Sequence, residues 1–180
     1  MGTLRIAGAV NDSIVDGPGF RYVIFTQGCP HGCPGCHNPQ THDFQGGAEV
    51  DEELLWQEIA GNPLLSGVTL SGGEPFCQSG ALLPLVRRCR EKGLHIMAYS
   101  GYTLEELLAL PDPAVGELLK LCDVLVDGRF VLAQRDLTLR FRGSRNQRIL
   151  DVPASLRTGA AVVLDWDHPQ EKYPPFERER

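Results

Sequence analysis

The chain has 180 residues, 42% of them hydrophobic and 22% charged, which suits an ordinary globular domain with one sizeable core. Its formal net charge of −6 excludes the basic footprint that nucleic acid or anionic lipid requires. No stretch approaches the roughly 18 consecutive apolar residues of a membrane span, and Met1 to Val10 lack the pattern of a secretory signal. Ile6 stands where N-myristoylation after Gly2 would need Ser or Thr. The expected compartment is the cytoplasm, where closely spaced cysteines more often bind metal or catalyse than form disulfides.

In chain order, Asp16-Gly17-Pro18-Gly19 is a turn that introduces Arg21 to Thr26, a β-branched and aromatic stretch that reads as a buried strand. Gly28 to Gln40 is a loop rich in Gly, Pro and Cys. Asp51 caps a helix whose apolar positions Leu54, Leu55 and Ile59 recur at helical spacing. Gly67 to Leu70 is a short strand, followed by the loop Ser71 to Phe76. Ala81 to Lys92 reads as a helix with Leu82, Leu85, Val86 and Cys89 on one face, ended by Gly93. Leu94 to Tyr99 reads as a strand, Thr103 to Leu110 as a helix capped by Thr103, Ala114 to Leu121 as a helix and Asp123 to Val126 as a strand. Beyond Arg148, Ile149 to Val152 and Ala160 to Leu164 read as strands, and Asp167 to Arg180 as a loosely held, charged tail.

Strands alternating with helices predict an α/β domain with parallel strands. A complete eight-stranded β/α barrel takes about 250 residues. An open, partial (β/α) barrel or a doubly wound sheet is therefore expected, as a single domain over residues 1–166 with residues 167–180 as tail. In either architecture, functional groups gather at the C-terminal ends of the strands. The cysteine loop and the Ser71 to Phe76 loop both fall on that edge.

Cys29-Pro30-His31-Gly32-Cys33-Pro34-Gly35-Cys36 sets three thiols on one loop as CxxxCxxC. Thiolates are soft ligands that suit iron–sulfur clusters and zinc. Three cysteines can hold three irons of a [4Fe–4S] cluster and leave the fourth open for chemistry. Gly32 and Gly35 let the loop turn around so bulky a group. The competing zinc site would add His31 or His37, although structural zinc sites usually draw on two separated knuckles. Cys77, Cys89 and Cys122 are widely spread and are expected to pack as small hydrophobes.

CxxxCxxC after one strand, with Gly72-Gly73-Glu74-Pro75 after the next, resembles the radical S-adenosylmethionine superfamily over roughly Asp12 to Arg148. Gly35 stands where that superfamily usually has an aromatic residue, and His37-Asn38 after the last cysteine looks like the activase branch. Val15 to Arg21 (VDGPGFR) resembles the segment before the cluster in glycyl-radical-enzyme activases. Val126 to Phe130 (VDGRF) and Arg142 to Arg148 (RGSRNQR) resemble the activating proteins of anaerobic (class III) ribonucleoside-triphosphate reductase.

The resemblance implies an oxidoreductase with a [4Fe–4S] cluster on Cys29, Cys33 and Cys36 and with S-adenosyl-L-methionine as cofactor. It would form a 5′-deoxyadenosyl radical and, from it, a glycyl radical on anaerobic ribonucleoside-triphosphate reductase. An external donor such as flavodoxin or ferredoxin would supply the electron. Cofactor contacts are implied for His37, Asn38, Gly72, Gly73, Glu74, Ser100 and Asp127, with Glu74 accepting from the cofactor's amino group. Ser100 and Asp127 read equally as helix caps. Tyr99 stands where related activases place a carboxylate near a monovalent cation. Asp16, Arg142 and Arg145 are candidates for docking the partner's glycine loop, within a basic run that includes Arg129, Arg140 and Arg148. Two other readings share the cysteine loop: an activase of another glycyl radical enzyme of the pyruvate formate-lyase type, and a radical enzyme acting on a small molecule such as a deazapurine precursor.

Overall fold

The computed structural model describes residues 2–167, so the expected tail lies, beyond its first residue, outside the described residues. The elements in chain order are β1 (Thr3–Ser13), β2 (Arg21–Thr26), β3 (Ala48–Asp51), α1 (Glu52–Gly61), β4 (Gly67–Gly72), α2 (Ser79–Glu91), β5 (His95–Tyr99), α3 (Leu104–Ala109), α4 (Pro113–Leu121), β6 (Val124–Asp127), β7 (Arg148–Asp151) and α5 (Val152–Thr158). The strands form one sheet in the order β3-β1-β2-β4-β5-β6-β7.

β2, β4, β5 and β6 are parallel neighbours, as the alternation of strands and helices predicts. Their side chains are buried on both faces, Tyr22, Ile24, Val68 and Leu70 toward one side and Val23, Thr69 and Met97 toward the other. That double burial is the usual state of parallel strands. The first set joins a core with Leu55 and Ile59 of α1, Leu82 and Leu85 of α2, Leu107 of α3, Leu118 of α4 and Val152 of α5. All five α-helices among the described residues thus contribute to one core. On the opposite face Met97, Val124, Val126 and Ile149 pack with Trp166 in a smaller cluster.

The helices begin where local chemistry directs. Asp51 accepts from the Glu53 amide at the start of α1, and Asp112 accepts from Ala114 at the start of α4. Thr103 and Glu106 close a reciprocal capping box on α3.

Two expectations are corrected. The sheet is mixed: β1 pairs antiparallel with β2 and β3, and β7 antiparallel with β6. β1 carries no strand pattern in sequence because only Leu4, Ile6 and Ser13 along it are buried. Ala160 to Leu164 is not a strand but returns beside β7 through a single bridge, Leu150 to Val163. The intervening residues form α5, capped by Asp151 and ended by Gly159 in the left-handed conformation at φ 74°. The sheet is open, with β3 and β7 as its edges.

Candidate active site

The cysteine loop leaves the C-terminal end of β2 and is closed at its neck by backbone bonds. Gly28 N donates to Thr41 O at 2.7 Å and Cys29 N to His42 O at 3.1 Å. Within the loop, Cys36 N donates to Cys33 O at 3.2 Å and Asn38 N to Cys36 Sγ at 3.4 Å. Gly32 and Gly35 take φ 58° and 73°, and a Cβ at Gly35 would meet Leu132 Cδ1 at 2.8 Å. The tight turn read from these glycines is therefore required at Gly35 by packing as well.

The loop after β4 lies directly against this one. Gly73 N donates to Thr26 O at 2.7 Å and Glu74 N to Gly28 O at 2.8 Å. A Cβ at Gly72 would sit 2.5 Å from Thr26 N, and one at Gly73 would sit 2.4 Å from Gly28 O. Only glycine lets the two backbones approach so closely. Both glycines also line the cleft that opens between these loops.

That cleft, of about 500 Å³, is lined by Cys29, Cys33, Cys36, His37, Asn38, Gly72, Gly73 and Ser100 of the predicted site, and by Asp16 and Arg142. Its volume is that of a site for a cofactor-sized ligand. Its floor is Phe25, Ser71 and Tyr99, at the ends of β2, β4 and β5. Its far wall is Phe130, Phe141, Gly143 and Gln147. That wall is a knot built by the RGSRNQR segment: Gln147 Oε1 accepts from Gly143 N at 2.8 Å, and Gln147 Nε2 donates to Gly128 O at 3.0 Å. His37 lies against Phe130, ring centroids 5.3 Å apart.

All six cysteines are free thiols. Cys29, Cys33 and Cys36 are half-buried around the cleft. Among the described residues no three His, Cys, Asp or Glu side chains converge to hold a single metal ion. His31 Nε2, one candidate fourth ligand for zinc, is 2.7 Å from Glu74 Oε2. Burial pushes the Cys29 thiol pKa up, with Glu74, Cys33 and Cys36 adding to the effect. Iron ligation by this thiol therefore releases a proton. Three half-buried thiols on a glycine-turned loop at the mouth of such a cleft fit a polynuclear cluster with one open corner.

Two predicted cofactor ligands are placed elsewhere. Glu74 is fully buried, and its carboxylate accepts from Phe76 N at 3.1 Å, Gly101 N at 2.9 Å and Ser100 Oγ at 3.0 Å besides its contact with His31. Its lone pairs are taken, so it braces three loops instead of facing the cleft. Ser100 lines the cleft while donating its hydroxyl to Glu74. Asp127 is 1% exposed, accepts from Leu104 N at 2.8 Å and pairs with Arg148 at 2.5 Å. It is a cap and an ion-pair partner, the second of its two readings.

The basic run is largely neutralised. Arg129 pairs with Glu106, Arg148 with Asp127 and Glu105, and Arg142 with Asp167. Arg145 lies outside the cleft, 63% exposed, with Asp136 4.0 Å away. Asp16 accepts from Ser13 Oγ at 2.5 Å, and its backbone carbonyl accepts from Thr69 Oγ1 at 2.7 Å. Cys77 departs from its expected packing role: it is exposed, because it sits on the 3₁₀ turn Pro75–Gln78 whose Phe76 points inward instead. Cys89 and Cys122 are buried as expected. The sequence reading missed His31 as a brace and Phe130, Phe141 and Gln147 as walls. Of the walls, Gln147 within RGSRNQR and Phe130 within VDGRF carried a signal, and Phe141 did not.

Residues 15–150 match the family described as a 4Fe-4S single cluster domain. The chain is 38% identical over 146 residues to the anaerobic ribonucleoside-triphosphate reductase-activating protein of Pasteurella multocida (strain Pm70), covering 76% of this chain and 90% of that one. It is 42% identical over 117 residues to the pyruvate formate-lyase-activating enzyme of Clostridium pasteurianum, covering 60% and 49%. Among solved structures, QueE from Escherichia coli is similar at 21% identity and a TM-score of 0.44, over 56% of this chain and 53% of that one.

Proposed function

Since the chain belongs to the 4Fe-4S single cluster domain family, and with it to the anaerobic ribonucleoside-triphosphate reductase-activating proteins, we propose that it is a radical S-adenosylmethionine activase that generates a glycyl radical on that reductase. The observation that carries this reading is the gathering of three half-buried thiols and the Gly72-Gly73 edge around one cleft at the sheet's C-terminal edge.

Cys29, Cys33 and Cys36 would hold the [4Fe–4S] cluster, leaving one iron without a protein thiolate. When bound, cluster and S-adenosylmethionine supply a one-electron cleavage of the sulfonium S–C5′ bond, giving methionine and a 5′-deoxyadenosyl radical. The chain's own residues orient and shield. Gly72 and Gly73 present backbone without side chains, His37 and Asn38 line the cleft beside the thiols, and Ser100 holds the β5 loop in place through Glu74. The reacting hydrogen must come within about 3–3.5 Å of its acceptor. A glycine of a folded partner reaches such a site only as a protruding loop, and an open sheet acting as a partial barrel leaves that loop a path. Asp16 and Arg142 stand on the cleft for it, and Arg145 offers an exposed charge outside. An external one-electron donor such as flavodoxin or ferredoxin completes the reaction, which we place in the cytoplasm. No described helix is long and apolar enough to cross a membrane.

The test is a frozen-solution EPR spectrum of the anaerobically reconstituted protein with S-adenosylmethionine, reductant and the reductase from the same source. A glycyl-type doublet that needs every component and vanishes in Cys33→Ala supports the proposal. Cofactor cleavage without a glycyl signal overturns the partner. The likeness to a pyruvate formate-lyase-activating enzyme makes another glycyl radical enzyme the second reading, tested by exchanging the partner.

A further inference from the structure

We propose that His31 is a positioning residue, whose imidazole fixes the Cys29–Cys33 segment to the loops after β4 and β5 through the sealed carboxylate of Glu74. The proposal rests on the reading of that segment as a cluster loop.

The ring sits in a pocket made by residues far from it in sequence. Its side chain is 4% exposed and Glu74 is fully buried, with 2.7 Å between Nε2 and Oε2. With Glu74 as the acceptor, Nε2 is the donor of this contact. The ring meets Tyr102 edge-on, with centroids 4.5 Å apart. A Cβ at Gly101 would fall 2.3 Å from His31 Cδ2 and 2.6 Å from Nε2, so glycine at this position leaves the space the ring fills. Glu74 in turn accepts from Gly101 N at 2.9 Å and from Ser100 Oγ at 3.0 Å. One buried carboxylate thereby ties the loops after β2, β4 and β5.

The anchor acts on the cysteine loop where its backbone holds it least. The loop is closed at its neck, by Gly28 and Cys29 against Thr41 and His42. Between Cys29 and Cys33 the side chain of His31 reaches Glu74 and Tyr102 in the loops after β4 and β5. An anchored ring therefore sets the placement of the loop segment between Cys29 and Cys33. Groups that orient ligands from outside the coordination sphere typically change metal affinity 10–100-fold when removed.

The experiment compares the full chain with His31→Ala, His31→Gln and Gly101→Ala. His31→Gln keeps a side-chain N–H for Glu74. Gly101→Ala leaves the histidine in place but takes the space of its ring. After anaerobic reconstitution, loss of cluster absorbance to an iron chelator is expected to be about 10–100-fold faster in His31→Ala and Gly101→Ala. His31→Gln should stay close to wild type. The reduced cluster of His31→Ala should also show a broadened EPR signal. In the iron-free chains, hydrogen exchange at the Gly101 and Phe76 amides should speed up in His31→Ala and Gly101→Ala and be restored in His31→Gln. Wild-type-like chelator resistance and exchange in His31→Ala overturn the proposal. A wild-type chain that takes up no cluster overturns the cluster reading instead, while the iron-free exchange still decides whether His31 is the anchor.

Discussion

Arg21 is wholly buried in β2 and faces neutral acceptors. Its guanidinium donates to Thr69 Oγ1 at 2.6 Å, Val68 O at 2.9 Å, Pro18 O at 3.1 Å and His95 O at 3.2 Å. Desolvation pushes its pKa down to about 10, against the pull of Tyr99 and Asp123. The bond to Pro18 O, with Thr69 Oγ1 donating to Asp16 O, holds the turn that presents Asp16 to the cleft. Lysine at this position would keep the charge but lose the planar fork. With bonds to charged groups worth about 1.5–3 kcal/mol each, Arg21→Lys should cost about 2–4 kcal/mol in urea unfolding. A loss under about 1 kcal/mol would show that the fork is dispensable. Cys77 gives a second test at this scale. It is exposed, yet partial desolvation, with Glu74 and Cys29 nearby, pushes its pKa up to about 11. The thiolate is the nucleophile, so at pH 8 its alkylation should run about 100-fold slower than that of a thiol with pKa 9, and rise about tenfold per pH unit until pH 11. Mass spectrometry of iodoacetamide-treated protein reads this directly. A flat rate from pH 8 to 10 would contradict the shift.

Between elements, Asp127 shows why one class of site residue misleads. It ends β6 on the same edge as the cysteine loop, which is what a cofactor ligand would do. The same position lets its carboxylate meet the Leu104 amide at the start of α3 and Arg148 at the start of β7. Strand-end acids and helix-cap acids are the same residue type at the same place in sequence, and only the partner across space separates them. Asp127→Asn should cost about 2 kcal/mol, from a partly exposed Arg148 left with one fewer counter-charge and a weakened acceptor for α3. Its affinity for S-adenosylmethionine, measured by equilibrium dialysis, should stay within about twofold of wild type. A tenfold loss of affinity at unchanged stability would restore the ligand reading. Elsewhere local chemistry was legible: Asp51 and Thr103 cap helices as their types and positions suggest. α5 had the same signals, Asp151 before it, Pro153 in its first turn and Gly159 after it, but seven residues without strong periodicity hid it. β1 was illegible for a different reason. Its burial comes from pairing with β2 and β3, and its own side chains are mostly exposed.

Across the whole molecule, the sheet's asymmetry decides what can approach the cleft. Helices cover one face, while among the described residues the other carries the small cluster around Trp166 and the turn bearing Asp16. The sheet does not close on itself: β3 and β7 are its end strands, and residues 162–164 run beside β7. The cleft was legible as a place, because loops after successive parallel strands must share an edge. Its far wall was legible only in part: Phe130 and Gln147 fall in the VDGRF and RGSRNQR segments, but Phe141 comes from an irregular stretch whose path depends on the Gln147 and Arg142 knots. Beside the mouth, Ile14 and Val15 are 67% and 74% exposed, and Val15 also lines the cleft. Large apolar side chains this exposed at a functional opening suit a partner that covers them. Val15→Asp places a charge where the glycine loop would enter without touching the thiols or Gly72 and Gly73. Interface positions of this kind are worth about 1–2 kcal/mol, so the KM for the reductase should rise about fivefold to thirtyfold. Partner-independent cleavage of S-adenosylmethionine should be unchanged. If both fall together, Val15 shapes the cofactor site itself; if neither moves, the partner enters from the β7 side, past Phe141 and Arg142.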